Sequence, residues 1–386
     1  MKEKKPRVIV STVGTSLLTN QIDRSREAEK TWYGLLRESA NLRDRDIQNK
    51  TVKQIIHDLS QRATKKLQTK DTKAIRRLSA ELNGIYGIYQ NNIAEGKQDT
   101  HILIATDTEQ GKVTAEVVKN YLQHNGIASV SIYTPTGLST ATTTAFTEGI
   151  DELITWFKQT LDGYRQQQSR VYFNLVGGFK SLQGYLNTIG MFYADEIIYI
   201  FEGIGSELIT IPRLPIEIDK EALKNCVETL ALLDAGAALD KNEVENIPEA
   251  LVAEVDGKYT ISTWGNLIWE ECKDELLSGK LLSFDRLYYK ESFKSDYQKI
   301  ATVQEKVKLQ ETLAKVAWLL KESNGNTQSL TETGLKYSPY GGVSKIDHFR
   351  VDLSQRVSCQ KDRGKLILRY YGTHDRVQGA ELPNKK

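Results

Sequence analysis

One stretch constrains the fold of this chain more than any other. Its sequence is Val171-Tyr-Phe-Asn-Leu-Val-Gly-Gly-Phe-Lys-Ser181, in which alternating β-branched and aromatic residues end at two glycines. An amphipathic segment from Leu182 to Tyr193 follows, so the pattern predicts a strand, a tight turn and a helix. Gly177 and Gly178 would let an anion approach the backbone N–H groups of the turn and the N-terminus of the helix. Lys180 would add a positive charge there, although a solvated lysine after an ordinary turn has the same local pattern.

Two further predicted strands end in turns that are rich in glycine and hydroxyl groups. The turn residues are Gly14, Thr15, Ser16 and Asn20 after strand 8–11, and Thr106, Asp107 and Thr108 after strand 102–105. In an open parallel α/β sheet, ligands bind beyond the carboxyl ends of the strands. The three turns therefore predict one binding edge. Its neutral donors suit sugar hydroxyls, base edges and phosphodiesters.

The first 215 residues resemble a known family. The motifs that carry the likeness are Gly14–Asn20, Thr106–Thr108, Asn174–Lys180, and Ile198–Glu202 with Ile211–Pro215. They resemble the motifs of CARF domains (CRISPR-associated Rossmann folds), which sense cyclic oligoadenylate in type III CRISPR immunity. The resemblance implies a homodimer with the ligand, usually cyclic tetra-adenylate, across its two-fold axis.

The same resemblance implies a set of ligand-binding residues. They are Gly14, Thr15, Ser16, Asn20, Thr106, Asp107, Thr108, Asn174, Gly177, Gly178, Phe179 and Lys180.

Hydrophobic periodicity alone predicts an α/β fold for residues 1–215, independently of the resemblance to CARF domains. Strands are predicted at 102–105, 129–133, 171–175 and 197–201, and helices at 112–124, 141–161 and 182–193. Residues 24–97 are charged and helix-prone, which predicts a long helical excursion after the first strand. The alternation favours a doubly wound α/β domain, and the resemblance implies that this domain is a Rossmann-like CARF domain.

Residues 216–280 have a different texture and are strongly acidic. The segment resembles a small winged-helix-like middle domain. Its predicted elements are a helix at 221–233, a strand pair at 251–261 and a helix at 263–277. The net charge is −9 here, against +4 for residues 1–215 and +7 for residues 281–386. Because this charge opposes phosphate contact, we expect a connector, a dimer contact or a docking surface for a basic partner.

Residues 281–386 predict an α+β domain with a basic sheet. The pattern consists of a strand at 284–289, helical residues 293–321, and strands at 348–360 and 365–371 joined by a turn at 361–364. The segments 348–357 and 366–377 resemble the RelE family of messenger-RNA-cleaving toxins. By position, Arg356 matches the family's catalytic arginine. His374 and Arg376 fall where the family carries further basic residues.

The RelE resemblance also implies a basic loop and strand that contact RNA, here Lys336, Lys345 and Arg350. Because arginine cannot act as an acid or base near neutrality, we assign Arg356, Arg350 and Arg376 to charge stabilisation. His374 is the predicted general acid, since histidine titrates near neutrality. His348 is the other histidine at that end of the sheet. The tyrosine of some family members is absent, since Ala380 and Glu381 lie at its place, and the general base stays open.

Two alternatives accompany this hypothesis. Arg369 to His374 also fits the Arg-x4-His pattern of HEPN ribonucleases, which belongs to an all-helical domain that would act on free RNA. A non-catalytic CARF winged-helix regulator would bind the same ligand without cleaving RNA. The preferred hypothesis is a ribosome-dependent messenger ribonuclease, because a ribosome could align an RNA that the weak site cannot align alone.

Composition sets the remaining expectations. The 386 residues are 39% hydrophobic and 26% charged, without an apolar run of membrane-spanning length. The three cysteines, Cys226, Cys272 and Cys359, are scattered, which disfavours a disulfide framework or zinc site. We expect a cytoplasmic protein with no metal or other cofactor and no membrane partner. Its partners would be cyclic oligoadenylate, messenger RNA, the ribosome and a second copy of itself.

Overall fold

The chain folds into two compact units. The computed structural model describes residues 5–201, 207–340 and 345–382. The units comprise residues 1–217 and 218–386, so the predicted boundary at 215 lies two residues from the observed one. The predicted boundary at 280 does not separate compact units. Glu202, named among the predicted motifs, lies outside the described residues.

The first unit is built on a six-stranded sheet in the order β3-β2-β1-β4-β5-β6. The strands are β1 (Arg7–Thr12), β2 (Thr100–Ile104), β3 (Ser129–Tyr133), β4 (Arg170–Asn174), β5 (Glu196–Ile200) and β6 (Leu208–Pro212). All neighbours are parallel except β5 and β6, which are antiparallel. All six residues of β1 are buried, as expected for a central parallel strand covered on both faces. The predicted α/β class with a parallel sheet is confirmed.

Helices connect these strands. They are α1 (Ser16–Thr19), α2 (Trp32–Glu38), α3 (Lys50–Lys66), α4 (Thr72–Leu78), α5 (Ala80–Ile88), α6 (Glu109–His124), α7 (Thr143–Gln166) and α8 (Lys180–Tyr193). The predicted helical excursion between β1 and β2 is found. In α3, Val52, Ile56 and Leu59 are buried at helical spacing, and the side chain of Asn49 caps the first turn.

The second unit contains a five-stranded sheet in the order β10-β11-β12-β13-β9 and a separate hairpin of β7 and β8. The strands are β7 (Val252–Val255), β8 (Lys258–Ile261), β9 (Leu287–Tyr289), β10 (Ser338–Pro339), β11 (Asp347–Arg350), β12 (Gln355–Asp362) and β13 (Lys365–Thr373). Neighbours in the large sheet are antiparallel except β9 and β13, which are parallel.

The prediction of a single strand over 348–360 is wrong, because this stretch forms two antiparallel strands, β11 and β12. Asp352 Oδ1 accepts hydrogen bonds from the backbone N–H groups of Ser354 (2.7 Å) and Gln355 (2.8 Å) and so stabilises a turn.

The helices of the second unit differ from prediction in two places. They are α9 (Lys220–Leu223), α10 (Val227–Asp234), α11 (Thr263–Leu277), α12 (Glu291–Gln298), α13 (Val303–Glu322), α14 (Gln328–Glu332) and α15 (His374–Glu381). The predicted helix 221–233 is split, because Cys226 leaves the helical region at ψ 14°. The predicted helical stretch 293–321 is also two helices, and Thr302 caps the second. The C-terminal helix α15 was not predicted.

One hydrophobic core serves both predicted segments of the second unit. Leu230 and Trp269, from the acidic segment, belong to the same buried cluster as Phe293, Leu313 and Phe349. The helix, hairpin and helix expected within 216–280 are present, but they share their core with the basic sheet. In the described ranges, no helix is long and apolar enough to cross a membrane.

Candidate functional sites

The sheet of the first unit brings the three predicted turns to one edge. β1 lies between β2 and β4, with Thr12 opposite Ile104 and Ser11 opposite Asn174. Because the three strands are parallel, the turns that follow them all leave the same edge. We call the residues 12–20, 105–108 and 174–180 the glycine-rich rim.

Two of these turns touch through their glycines. The hydroxyl of Thr12 donates to the carbonyl of Gly177 at 2.6 Å. A Cβ on Gly14 would lie 2.9 Å from the backbone nitrogen of Gly178, so the approach requires glycine. Gly178 has φ +87°, which also favours glycine. The predicted Gly14, Gly177 and Gly178 therefore form one interlocked element.

A residue that the sequence pattern did not reveal, Glu81 of α5, holds this element together. Its side chain is fully buried, and its Oε1 accepts the backbone N–H of Gly14 at 2.6 Å. Its Oε2 accepts the hydroxyl of Ser79 at 2.6 Å. A Cβ on Gly177 would lie 2.3 Å from Oε1. Burial raises the pKa of Glu81, although the bonds from Ser79 and Gly14 oppose it.

Asn174 is the buried base of the rim. It is fully buried, and its amide donates to Ser11 Oγ (3.1 Å) and to the carbonyl of Glu81 (3.0 Å). A Cβ on Gly84 would lie 2.0 Å from Asn174 Oδ1, so α5 packs tightly on this amide. Asn174 therefore positions β1, β4 and α5.

Lys180 is the exposed cation of the rim. It is the first residue of α8, whose N-cap residue Phe179 makes no side-chain cap. Within the described part of the chain, Lys180 has no ion-pair partner. Phe179 contacts Phe146 edge-on, with ring centroids 5.9 Å apart. The uncapped helix start, the cation and the aromatic group together can receive an anion attached to a base.

Asp107 is engaged by cations of its own unit. Its carboxylate pairs with Arg43 (2.6 Å) and Lys112 (2.7 Å) and accepts the N–H of Gly137 at 3.0 Å. Burial alone would raise the pKa of Asp107, but the bonds from Lys112 and Gly137 and the charge of Arg43 lower it below its usual range. Asp107 thus fixes the turn.

The other predicted rim residues form fewer side-chain contacts. Thr106 and Thr108 share a hydroxyl hydrogen bond of 2.9 Å, and Thr108 caps α6. Thr15 and Ser16 are half-buried at the start of the short helix α1. The amide of exposed Asn20 donates to the carbonyl of Leu78 at 3.3 Å.

A different surface is found in the second unit. His348 lies opposite Ser358, Arg350 opposite Arg356, and Arg356 opposite Gly372. Directly opposed residues share a face, and Phe349 with Val357 occupy the core on the other face. We call the side chains of Tyr340, His348, Arg350, Arg356 and His374 the basic face.

Several polar groups of the basic face have no partner. Among the described residues, neither Arg350 nor Arg356 forms an ion pair, and the Nε of Arg356 is buried without a hydrogen bond. Tyr340 Oη and His348 Nδ1 are likewise buried and unpartnered there. The two rings pack with centroids 4.4 Å apart. Tyr340 was not singled out in the sequence, because its contact with His348 depends on the pairing of β10 and β11.

Burial lowers the pKa of His348, and the nearby charges of Arg356 and His374 lower it further. The basic face therefore combines unpaired arginines with a histidine that stays neutral near pH 7.

Part of the first unit is similar to a known family. Residues 76–214 match the family model of a CRISPR-associated protein, Cas_APE2256. The matched range begins in α4, includes Glu81, and runs through β2 to β6 with Asn174 and Lys180. The match supports the interpretation that the chain is a CRISPR-associated protein.

The Cas_APE2256 match leaves out the turn around Gly14 and the whole basic face. The rim residues it covers are Thr106, Asp107, Thr108, Asn174, Gly177, Gly178, Phe179 and Lys180.

Three predicted catalytic cations, all outside the Cas_APE2256 match, differ from Arg356 in their surroundings. Arg376 pairs with buried Asp296 of α12. Lys336 and Lys345 are exposed, at φ 52° and 68°, in the segments that flank β10. The structure thus places Arg350 and Arg356 on one face and ties Arg376 to a carboxylate.

The HEPN-like pattern lies in an environment that differs from a helical bundle. Arg369 is on strand β13, and its guanidinium bonds both oxygens of Glu381 at 2.8 and 3.0 Å. His374 begins α15, and its Nδ1 lies 3.1 Å from Asp375 Oδ1. Arg369 is thus already committed to a carboxylate. Among the described residues, no group of three or more His, Cys, Asp or Glu side chains could hold a metal ion.

Proposed function

We propose that this chain is a cyclic oligoadenylate-activated endoribonuclease of type III CRISPR defence that cleaves messenger RNA on the ribosome. The glycine-rich rim would bind the activator, and the basic face would cleave RNA. The observation that carries the proposal is the pair Arg350 and Arg356, which face the same side of one sheet without a carboxylate partner among the described residues.

The rim supports an adenylate ligand by its chemistry. Phosphodiesters need N–H donors and a cation, which the turn at Gly177 and Gly178 and the exposed Lys180 can supply. The match to a CRISPR-associated family favours such a ligand over an unrelated nucleotide. A symmetric ring would bind two copies of the rim, so we infer a homodimer.

The basic face supports RNA cleavage through attack of the 2′-hydroxyl. That reaction builds negative charge on a crowded phosphorane, which two fixed guanidinium groups can stabilise. His374, exposed at the start of α15, would protonate the leaving 5′-oxygen. Lys336 and Lys345 would contact the RNA backbone, and Arg376 would support the site through Asp296.

The proposed dependence on the ribosome follows from alignment. Free RNA rarely holds its 2′-hydroxyl in line with the leaving oxygen, whereas messenger held in the decoding site can be so fixed. A toxin without control would injure its own cell, so ligand binding should release the basic face. This release requires that the active state bind ligand more tightly than the resting state.

The experiment incubates the full chain with translating ribosomes, a defined messenger and cyclic tetra-adenylate, and maps the RNA ends. We expect cuts only when ribosome and ligand are both present, with 2′,3′-cyclic phosphate ends. Vigorous cleavage of naked RNA without ligand would contradict the proposal. Ligand binding with no cut under any condition would instead favour the non-catalytic regulator.

A further inference from the structure

The basic face contains a group of buried polar atoms that its own fold leaves unsatisfied. Within the described residues, His348 Nδ1, Tyr340 Oη and Arg356 Nε are buried and have no hydrogen-bond partner. Leaving such an atom unpaired destabilises the fold, because the atom has lost its hydrogen bonds to water without gaining a partner. Three on neighbouring side chains of one sheet face are therefore a feature that needs an explanation, and a polar substrate would supply the missing partners.

The three side chains are held in fixed positions. His348 is on β11 opposite Ser358, and Arg356 is on β12 in the same strand pair. The ring of Tyr340 packs on the ring of His348 at 4.4 Å, and Tyr340 is only 5% exposed. A histidine held by a strand and by a buried ring loses little conformational freedom when a substrate binds.

We propose, building on the ribonuclease function above, that His348 is the general base that accepts the proton of the attacking 2′-hydroxyl. Tyr340 positions its ring, and Arg356 lies beside it on the next strand. This assigns the role that the missing tyrosine leaves vacant.

The electrostatic surroundings of His348 agree with a base. Burial is the largest cause that lowers the pKa of His348, followed by the charges of Arg356 and His374, and Arg350 adds a smaller effect in the same direction. The backbone carbonyl of Ser338 opposes them. That carbonyl favours an N–H on the nitrogen that faces it and leaves the lone pair on the other nitrogen.

A carboxylate near this face does not change that conclusion. The carboxylate of Glu381 on α15 is occupied by Ser358 (2.7 Å) and Arg369 (2.8 Å). His348 is thus neutral near pH 7 and able to take a proton.

The step balances without any further reactant. The 2′-hydroxyl proton moves to a ring nitrogen of His348 as the 2′-oxygen bonds to phosphorus. The bond from phosphorus to the 5′-oxygen breaks, and that oxygen takes a proton from His374. The products are a 2′,3′-cyclic phosphate and a 5′-hydroxyl, while Arg356 stabilises the intermediate charge.

The test measures single-turnover cleavage of ribosome-bound messenger, with saturating cyclic tetra-adenylate, between pH 5 and 9. The proteins are the full-length wild type, His348→Gln, His348→Ala and, as a matched control, His57→Gln, which changes an exposed histidine of α3. We expect His348→Gln to cleave about 100- to 10,000-fold more slowly. The fall in rate that wild type shows as His348 becomes protonated at low pH should be absent. Added imidazole should partly restore His348→Ala.

Each contrary outcome has a distinct meaning. If His348→Gln retains both the wild-type rate and the loss of rate at low pH, His348 is not the base, even though the ribonuclease is real. A slow His348→Gln that keeps the low-pH fall, with no imidazole rescue of His348→Ala, would assign His348 a structural role only. If wild type itself makes no cut, the ribonuclease function and the role of His348 fall together.

Discussion

The glycine-rich rim and the basic face are both polar, but their charged groups differ in whether they are paired. In the rim, Asp107 is paired with Arg43 and Lys112, and Gly14 donates its backbone N–H to Glu81 of α5, which also accepts from Ser79. In the basic face, Arg350 and Arg356 have no ion-pair partner among the described residues. The rim pairs its carboxylate and presents one exposed cation, Lys180, and its one unpartnered buried side-chain atom among the described residues is Oδ1 of Asn174. The basic face is left unsatisfied.

The difference bears on what each surface can do. A surface whose charged groups are paired keeps its shape before and after a ligand arrives, so it suits a preorganised binding site. A surface with uncompensated charge stabilises the extra charge that forms only during reaction, which is the requirement of catalysis. The comparison therefore favours recognition in the first unit and chemistry in the second.

The largest expected effect concerns the unsatisfied surface. Arg356→Ala should lower the rate of ribosome-dependent cleavage by at least about 100-fold, because a guanidinium no longer stabilises the phosphorane. Cyclic tetra-adenylate affinity, measured by calorimetry, should be unchanged. The control is Arg363→Ala, in the exposed turn between β12 and β13, which should cleave normally. Equal loss in both variants would mean that general positive charge, not the basic face, is required.

A smaller effect is expected at the rim. Lys180→Ala should weaken binding of cyclic tetra-adenylate by about 10- to 100-fold, since a charged hydrogen bond contributes roughly 1.5–3 kcal/mol. Activation should then be lost at ligand concentrations that saturate wild type. Lys119→Ala, on the same unit but paired with Glu116, should bind normally. Unchanged calorimetric affinity of Lys180→Ala would remove this lysine from the site.

The interlocked glycines give a stability test of the same comparison. Gly177→Ala places a Cβ 2.3 Å from Glu81 Oε1, so Glu81 must move, at a cost of about 1–3 kcal/mol. Gly184→Ala, in α8 with open space around it, should instead stabilise by up to about 1 kcal/mol. Thermal unfolding of the full chain measures both. A neutral Gly177→Ala would show that the rim is looser than its contacts imply.

Much of the fold was accessible from local pattern. Strand 129–133 and helix 263–277 have the predicted bounds, because their apolar periodicity and their capping or turn residues agree. The break between β11 and β12 was also encoded locally. Asp352 followed two residues later by Ser354 is a turn signal within an otherwise strand-like run, and the run outweighed it in prediction.

The sites were accessible only in part, because their contacts join distant segments. Glu81 and Gly14 are 67 positions apart, and no local period predicts that a helix inside the excursion reaches the rim. The ring contact between Tyr340 and His348 depends on strand pairing that sequence alone does not reveal. Motif residues such as Gly177 and Lys180 were found because a strand, a turn and a helix follow directly in the chain.

The smallest expected effect contrasts two carboxyl groups of the first unit, the fully buried Glu81 and the half-buried, ion-paired Asp107. Burial raises the pKa of Glu81 above its usual 4.5, so the folded state holds this proton more tightly than the unfolded state. The contribution of Glu81 to stability is then full below about pH 4.5 and decreases as pH rises through the raised value.

For Asp107 the bonds from Lys112 and Gly137 outweigh burial and lower its pKa, so its contribution is lost as pH falls. Unfolding temperatures of wild type, Glu81→Gln and Asp107→Asn at several values between pH 2 and 8 test both signs, because the contribution of Asp107 changes only below its usual pKa of 3.8. Relative to wild type, Glu81→Gln should gain as pH rises, and Asp107→Asn should lose, each by roughly a few degrees. If both differences have the same slope, the two carboxyl groups are not in the opposite environments that distinguish a buried acid from an ion-paired one.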